Sequence, residues 1–468
     1  MKKGRLYNRQ EIELISKSAI GKSISDIAKE ELITVDDTGI INKGGMGQMV
    51  EQILFGIKSN NESEPDFMPA GIELKVTPYK KIRGGKLSAK ERLVLNIIDY
   101  MTEYKNDFKM SHFWFKNNTI QLLWYLWEPN KANKDLKITH EKLFELAKNE
   151  DLKQIEADWK YIIKKIKDGK AHELSEADTM YLGACTKGEN AKSLREQPFS
   201  NIMAMQRAFC FKNSYMTQLV RKYIGDYSDV ESILSGSDLL FDDYIEKVTN
   251  RYIGKTVEEL KCIFNITGTT KDDCSRIVNR MFNLKRGLNN TEEFIKANII
   301  SKTIRIGKNG KIREDISFPA FKFDEIINEK WDDSELKNQL ETTKYMFFIF
   351  KSDGNNYSFD GFKKFNMPER IIENIIKPFW IETVETIKTG VKFTHKNNTI
   401  QNNLPGITHN GYMHVRPHTG KAAYKLHDGT TKGNIRKYAD KLPNGEYMTK
   451  QAFWFNRSYI EKIINDSK

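Results

Sequence analysis

The segment PDFMPAGIELKVTPYKK, residues 65–81, decides how the chain is read. Its second part, GIELKVTPYKK, reads as a short buried strand, and strand side chains alternate between the two faces. Glu73 and Lys75 therefore project to one side while Leu74 and Val76 project to the other. An acid and a base on one face of a core strand must be paired or put to use. Asp66 lies seven residues before Glu73, and Pro65 and Pro69 shape a turn that folds it back beside the strand. Two carboxylates next to a lysine suit phosphodiester hydrolysis. Mg2+ takes hard oxygen ligands, here Asp66 and Glu73, and the Lys75 ammonium orients or helps deprotonate the attacking water and offsets transition-state charge. By spacing alone, Glu-x-Lys also fits a plain salt bridge on an exposed strand face, so the neighbouring segments carry the decision.

Upstream, KGGMGQMVEQILFG (43–56) places Met46, Met49, Val50, Ile53 and Leu54 on one helical stripe. Glu51 flanks that stripe, within reach of the metal site directly or through water. The chain around these segments is long and basic. Its 468 residues suit two domains of roughly 200 residues each, and 26 Phe, 19 Tyr and 7 Trp supply enough core to exclude global disorder. Lys and Arg number 75 against 63 Asp and Glu, a formal charge of +12 that attracts polyanions, nucleic acid first among them. The four cysteines form no Cys-x-x-Cys pair, no apolar run follows the N-terminus as a signal peptide would, and no stretch approaches the roughly 20 apolar residues that span a bilayer. A soluble protein of a reducing cytoplasm is expected.

Blocks recur in the same order in the two halves. DWKYIIKKIKDGK (158–170) resembles FWIETVETIKTGV (379–391), each an amphipathic helix closed by a glycine, Gly169 or Gly390. QRAFCFKNSYMTQLV (206–220) resembles KQAFWFNRSYIEKII (450–464), an aromatic strand running into a helix. TIQLLWYLWE (119–128) has a counterpart in KYMFFIFKSDG (344–354), and GKSISDIAKE (21–30) in GKTVEELKCI (254–263). The pattern is that of a diverged tandem duplication, and the acidic stretch GDYSDVESILSGSDLLFDD (225–243) is the natural boundary.

KGGMGQMVEQILFG, PDFMPAGIELKVTP, YLGACTKGENAKSL (181–194) and RAFCFKNSYMTQLV (207–220) together resemble the MutH-type endonucleases, and more closely the type II restriction enzymes of that group that cleave at GATC. KERLVLNIIDY (90–100), GKAHELSE (169–176) and HVRPHTG (414–420) extend the resemblance over most of the chain. It implies a restriction-endonuclease-like α/β fold, a mixed sheet flanked by helices, in two tandem diverged copies: a catalytic domain at 1–230 and a catalytically silent DNA-binding or regulatory domain at 231–468. It implies Asp66, Glu73 and Lys75 as the catalytic core, Glu51 as its helical carboxylate, and Lys116, in FKNNTIQLLWY, as the auxiliary lysine before a later strand.

In the family, a loop carrying Arg-Pro-Lys enters the DNA groove; here Cys185, Thr186 and Lys187 stand in those places and only the lysine survives. The aromatic base-contacting position reads Cys210, followed by Phe211 and Lys212. Lys187 and Lys212 are expected to contact phosphate. Arg416, which keeps the Arg-Pro pair in the second copy, is expected to make a bidentate contact to guanine. His418 belongs to the same DNA-facing motif; Pro417 disfavours a helix that would present it with His414 to a metal. In ANIISKTIRI (297–306), Lys302 stands where Lys75 stood but Ile300 replaces Glu73, so the second copy should be silent.

The expectation is a Mg2+-dependent type II restriction endonuclease that makes double-strand cuts at GATC and leaves a 5′-phosphate. Its second half would bind a further GATC copy as effector, with self-association or two-site looping. A cognate methyltransferase would act on the same site without a stable complex. The alternatives are a mismatch-repair nicking enzyme of the MutH kind and a non-enzymatic DNA-binding protein. Gly21-Lys22-Ser23 lacks the earlier glycine of a phosphate loop, the cysteines lack zinc spacing, and the Phe/Trp-rich segments read as core.

Overall fold

A computed structural model describes residues 6–30, 45–57, 64–82, 84–188, 193–225, 230–396 and 399–466. The chain forms two compact units, Met1–Tyr244 with Asn289–Ile299, and Ile245–Leu288 with Ile300–Lys468. This differs from a cut at 230/231 in two respects: the first pass runs on to Tyr244, and 289–299 returns to the first unit. Two buried side chains hold that return. The Glu293 carboxylate accepts the backbone N–H groups of Ile233 and Leu234 at 3.1 Å and the Ser232 hydroxyl at 2.5 Å. Lys296 Nζ sits 2.9 Å from both Asp151 oxygens. Within the expected boundary stretch, 226–229 lie outside the described residues, as do 43–44 of the Gly-Met segment and 189–192 of YLGACTKGENAKSL.

In the first unit the strands are β1 (Glu73–Lys81), β2 (Leu87–Ala89), β3 (Leu93–Ile97), β4 (Thr119–Leu126), β5 (Ile138–Glu145), β6 (Leu182–Thr186), β7 (Leu194–Gln197), β8 (Ser200–Met205) and β9 (Arg207–Phe211). A mixed sheet runs β2-β1-β4-β5, with β1 parallel to β4 and the outer pairs antiparallel. A second, antiparallel sheet runs β3-β9-β6, and β7 and β8 form a hairpin. Leu74, Leu123, Tyr125 and Ile138 pack one face of the mixed sheet against Ile12, Ile24, Ile27, Met46, Met49, Val50 and Ile53 from the N-terminal helices. Burying that face commits the opposite one, where Glu73 and Lys75 project, to the site.

In the second unit the strands are β10 (Ile299–Ile306), β11 (Ser317–Phe321), β12 (Lys344–Ser352), β13 (Tyr357–Phe365), β14 (Phe393–Lys396), β15 (Thr399–Asn402), β16 (Met413–Pro417), β17 (Tyr424–Lys425), β18 (Thr431–Lys432), β19 (Ala439–Lys441), β20 (Tyr447–Thr449) and β21 (Gln451–Phe455). They form sheets β10-β12-β13, β11-β21-β16 and β18-β17-β20-β19, and a β14–β15 hairpin.

The ladders of the two units agree in register where the sequence blocks pair them. With Ala208 laid on Ala452, Leu182↔Phe211 through Thr186↔Arg207 in β6–β9 falls on Met413↔Phe455 through Pro417↔Gln451 in β16–β21. The β3–β9 ladder slips between Val94 and Ile97, and β11–β21 slips at the matching place, between Ser317 and Ala320. With Thr119 laid on Lys344, the bulge of β4–β5 at Trp124/Tyr125 falls on that of β12–β13 at Ile349/Phe350.

Candidate active site

The turn before β1 is built by local rules. Met68–Ala70 forms a short 3-10 turn, Gly71 takes φ 62°, which favours glycine, and Phe67 and Ile72 exchange backbone hydrogen bonds at 2.9 and 3.4 Å. This returns Asp66 to the start of the strand. Leu74 N–H donates to Asp66 Oδ2 at 3.0 Å, and Asp66 N–H donates to Glu73 Oε2 at 3.3 Å. The two carboxylates are thus locked side by side through the backbone.

Glu73 is 2% exposed. Lys75 Nζ lies 2.8 Å from its Oε1 and also donates to Leu95 O at 3.4 Å, which ties the ammonium to β3. Lys116 Nζ lies 3.8 Å from the same Oε1. It comes from the helix His112–Asn117, whose start is capped by Ser111 Oγ and whose Phe113 N–H donates to the buried Glu103 carboxylate at 3.1 Å. Asn117 Nδ2 bonds Asn96 Oδ1 on β3 at 2.8 Å and fixes the other end of that helix. Burial pushes the Glu73 carboxyl above its ordinary value; Lys75 and Lys116 oppose the shift and neighbouring Asp66 adds to it. Such a group gains from a further cation beside it. Glu51 sits half-buried on the π-helical turn Val50–Leu54, at the edge of the buried stripe formed by Met46, Met49, Val50 and Ile53.

Among the described residues no group of three or more His, Cys, Asp or Glu gathers as a metal cage. The donor set of Asp66 and Glu73 nevertheless fits Mg2+, which prefers oxygen and keeps several of its own waters. Asp66 Oδ1 accepts no hydrogen bond among the described residues, while Oδ2 is occupied by Leu74 N–H.

The family profile described as the DNA mismatch repair enzyme MutH matches residues 55–158, the stretch that holds Asp66, Glu73, Lys75 and Lys116. The type II restriction enzyme Sau3AI of Staphylococcus aureus is 37% identical over 98% of this chain and 98% of its own length. This chain belongs to the Sau3AI family. DNA mismatch repair proteins MutH of Shewanella woodyi and Vibrio campbellii are 25% and 24% identical over 41% and 46% of this chain, and 81% and 95% of their own lengths. Among the described residues no helix is long and apolar enough to cross a membrane.

In this Sau3AI-family chain the expected DNA contacts divide. Lys187 is exposed just beyond β6, its backbone N–H on Gln206 O at 2.8 Å. Arg416 and His418 are exposed at the end of β16. Lys212 is a correction: it is 1% exposed, and its Nζ donates to Thr179 O at 2.6 Å beneath β6. Burial lowers its pKa, with Glu176, Asp158 and Asp178 opposing the shift. An ammonium enclosed in this way does not reach a phosphate. At the positions paired with Glu73 and Lys75, Ile300 is half-buried and Lys302 is exposed in the second unit, while Glu293, at the offset of Asp66, lies in the segment that returns to the first unit and spends its carboxylate on residues 232–234.

Sequence reasoning took the Trp-rich segments as core and so missed Trp454, which is half-buried with the Arg416 guanidinium 4.4 Å from its ring centroid. The signal was available: Trp454 stands where Cys210 stands in the first half, as the fourth residue of an aromatic strand, and strand side chains alternate between faces.

Proposed function

We propose that this chain is a type II site-specific deoxyribonuclease that makes Mg2+-dependent double-strand cuts in DNA at GATC. The observation that carries the reading is the locked Asp66–Glu73 pair with Lys75 2.8 Å from Glu73. Near-complete overlap with a type II restriction enzyme supports the reaction class. The GATC site rests on the motif set that resembles the GATC restriction enzymes.

Asp66 and Glu73 would hold the ion, which when bound supplies positive charge at the scissile phosphate and makes a bound water more acidic. Lys75, fixed between Glu73 and Leu95 O, donates to the attacking water and the phosphate oxygen, and Lys116 adds a second donor where charge accumulates. Glu51 borders the site from its helix.

The two halves are read as diverged tandem copies, supported by the corresponding orders β3-β9-β6 and β11-β21-β16 and by the shared registers and bulges. On this reading the second unit, which lacks the Glu73 equivalent, binds a further GATC copy and stimulates or clamps the catalytic unit. Digestion of DNA of known sequence with Mg2+, with and without adenine-methylated GATC, followed by end mapping, tests the activity. Duplex breaks at GATC with 5′-phosphates are expected, whereas nicked circles alone or cuts elsewhere would overturn it. Equal cleavage per site on one-site and two-site plasmids at all enzyme concentrations would remove the effector role.

A further inference from the structure

Strand β3 touches both lysines' supports from two adjacent residues. Leu95 O accepts from Lys75 Nζ at 3.4 Å. The next residue, Asn96, is 6% exposed, and its Oδ1 accepts from Asn117 Nδ2 at 2.8 Å. Its own Nδ2 lies 3.3 Å from His112 Nδ1, so one amide meets the first and the last residue of the helix His112–Asn117 that carries Lys116. Asn117 is fully buried, and its Nδ2 also donates to Phe113 O at 2.9 Å, one turn back.

Buried amides pair in many cores, because neither tolerates isolation. The second unit shows that this pair is not needed to hold the architecture. By the register that lays Thr119 on Lys344, the helix Glu335–Thr342 enters β12 as the Lys116 helix enters β4, with Glu341 at the place of Lys116 and Thr342 at that of Asn117. By the register that lays Ala208 on Ala452, Pro319 of β11 stands at the place of Asn96. Pro319 is exposed and carries no polar side-chain group. Thr342 Oγ1 donates to Asn338 O at 2.7 Å, within its own helix, and the Glu341 carboxylate lies 3.7 Å from Lys337 Nζ. Helix, strand and ladder slip are retained there, whereas the amide pair is replaced in the unit that has Ile300 at the place of Glu73.

We propose that Asn96 and Asn117 form a strut that positions the two ammonium groups of the active site relative to each other. This rests on the reading of the chain as a Mg2+-dependent nuclease. Lys116 and Asn117 are neighbours at the end of the helix, so a hold on the Asn117 amide fixes where the Lys116 stem leaves the backbone. Leu95 and Asn96 are neighbours on β3, so the same strand fixes the acceptor of Lys75. The two stems then converge on Glu73 Oε1, at 2.8 Å for Lys75 and 3.8 Å for Lys116. A long lysine side chain keeps a productive geometry only when its root is held, and misplacement by about 1 Å costs about 10^2-fold in rate. Asn96 and Asn117 are positioning residues; Lys75 and Lys116 are the groups that act.

The test measures single-turnover cleavage of a GATC duplex with Mg2+, DNA affinity without metal, and melting temperature, all on the full chain. Asn96→Leu and Asn117→Leu should each lower the rate about tenfold or more, with affinity unchanged. Both should melt below the parent, because each strands a buried amide. The double variant Asn96→Leu/Asn117→Leu removes both amides, so its melting temperature should return toward the parent while its rate stays low. In a Lys116→Ala background, Asn96→Leu should lower the rate by less than about threefold further, since the group it positions is gone. The double variant carries the test if either single variant fails to fold. A rate that recovers together with the melting temperature, or an Asn96→Leu effect that multiplies in full with Lys116→Ala, would make the pair a packing contact and refute the strut while the nuclease reading stands. A parent chain that leaves the duplex uncut would remove that reading and the strut with it.

Discussion

Glu73→Gln separates a catalytic centre from a structural salt bridge, because the two make opposite statements about stability. The substitution keeps the shape of the side chain and removes its charge. With an effective dielectric of about 20, attraction at the Lys75 distance of 2.8 Å is roughly 6 kcal/mol gross and at the Lys116 distance of 3.8 Å roughly 4 kcal/mol. The Glu73 pKa is nevertheless raised, so burial outweighs both lysines and the ionised form is disfavoured in the fold. The sign follows from linkage. A carboxyl with a raised folded pKa favours folding below its unfolded value near 4.3, and that contribution is lost as pH rises through the folded value. At pH 7 the charged Glu73 therefore opposes folding, and glutamine relieves the opposition. The melting temperature of Glu73→Gln should equal or exceed that of the parent at pH 7, with about 2–4 °C for each kcal/mol in a unit of this size, and the difference should close as pH falls toward 4. Cleavage should drop by about 10^3-fold or more, roughly 4 kcal/mol at the transition state. Thermal unfolding between pH 4 and 8 and single-turnover cleavage of a GATC duplex read both quantities. A variant that melts several degrees lower at pH 7 and still cuts at the parental rate would show that Glu73 is a structural partner of Lys75 and refute the reasoning.

Lys116→Ala should lower the single-turnover rate about 10–100-fold with DNA affinity little changed, since its ammonium lies 3.8 Å from Glu73, farther than Lys75; an unchanged rate would remove it from the site. Lys212→Met should leave DNA affinity within about twofold at fixed salt. Because the Lys212 pKa is lowered by burial, the fold prefers the neutral amine, and parental stability should rise as pH climbs toward the ordinary lysine value near 10.4; the methionine variant should lack that rise in alkaline melting curves. Ile300→Glu, placed in the Glu73→Gln background, should restore no cleavage, because Lys302 is exposed and Glu293 is committed to residues 232–234. Recovery of even about one per cent of parental activity on a GATC plasmid would contradict that diversion.

The site was legible where its geometry is local. A period of two fixes Glu73 and Lys75 on one face of β1, and the prolines and Gly71 fix the turn that returns Asp66, so strand period and turn chemistry together placed these three side chains. The paired blocks were legible as well, since glycine-closed helices and aromatic strands keep their residue types where packing demands them. Other features depend on segments far apart in the chain. Lys212 follows a strand and reads as surface, and only Thr179, Asp158 and Glu176 reveal that it is enclosed. The return of 289–299 to the first unit depends on Lys296 meeting Asp151, across 145 residues. Asp315 and Arg416 are 101 residues apart, so no window of sequence shows that they touch.

The central claim is that Asp66 and Glu73 hold a divalent ion beside Lys75. Anomalous scattering from crystals of the chain bound to a GATC duplex and soaked in Mn2+ tests it most directly. A manganese peak in contact with carboxylate oxygens of both Asp66 and Glu73 is the result this account predicts. Saturating Mn2+ with no peak between those two side chains, or with a peak held by other residues, would contradict it.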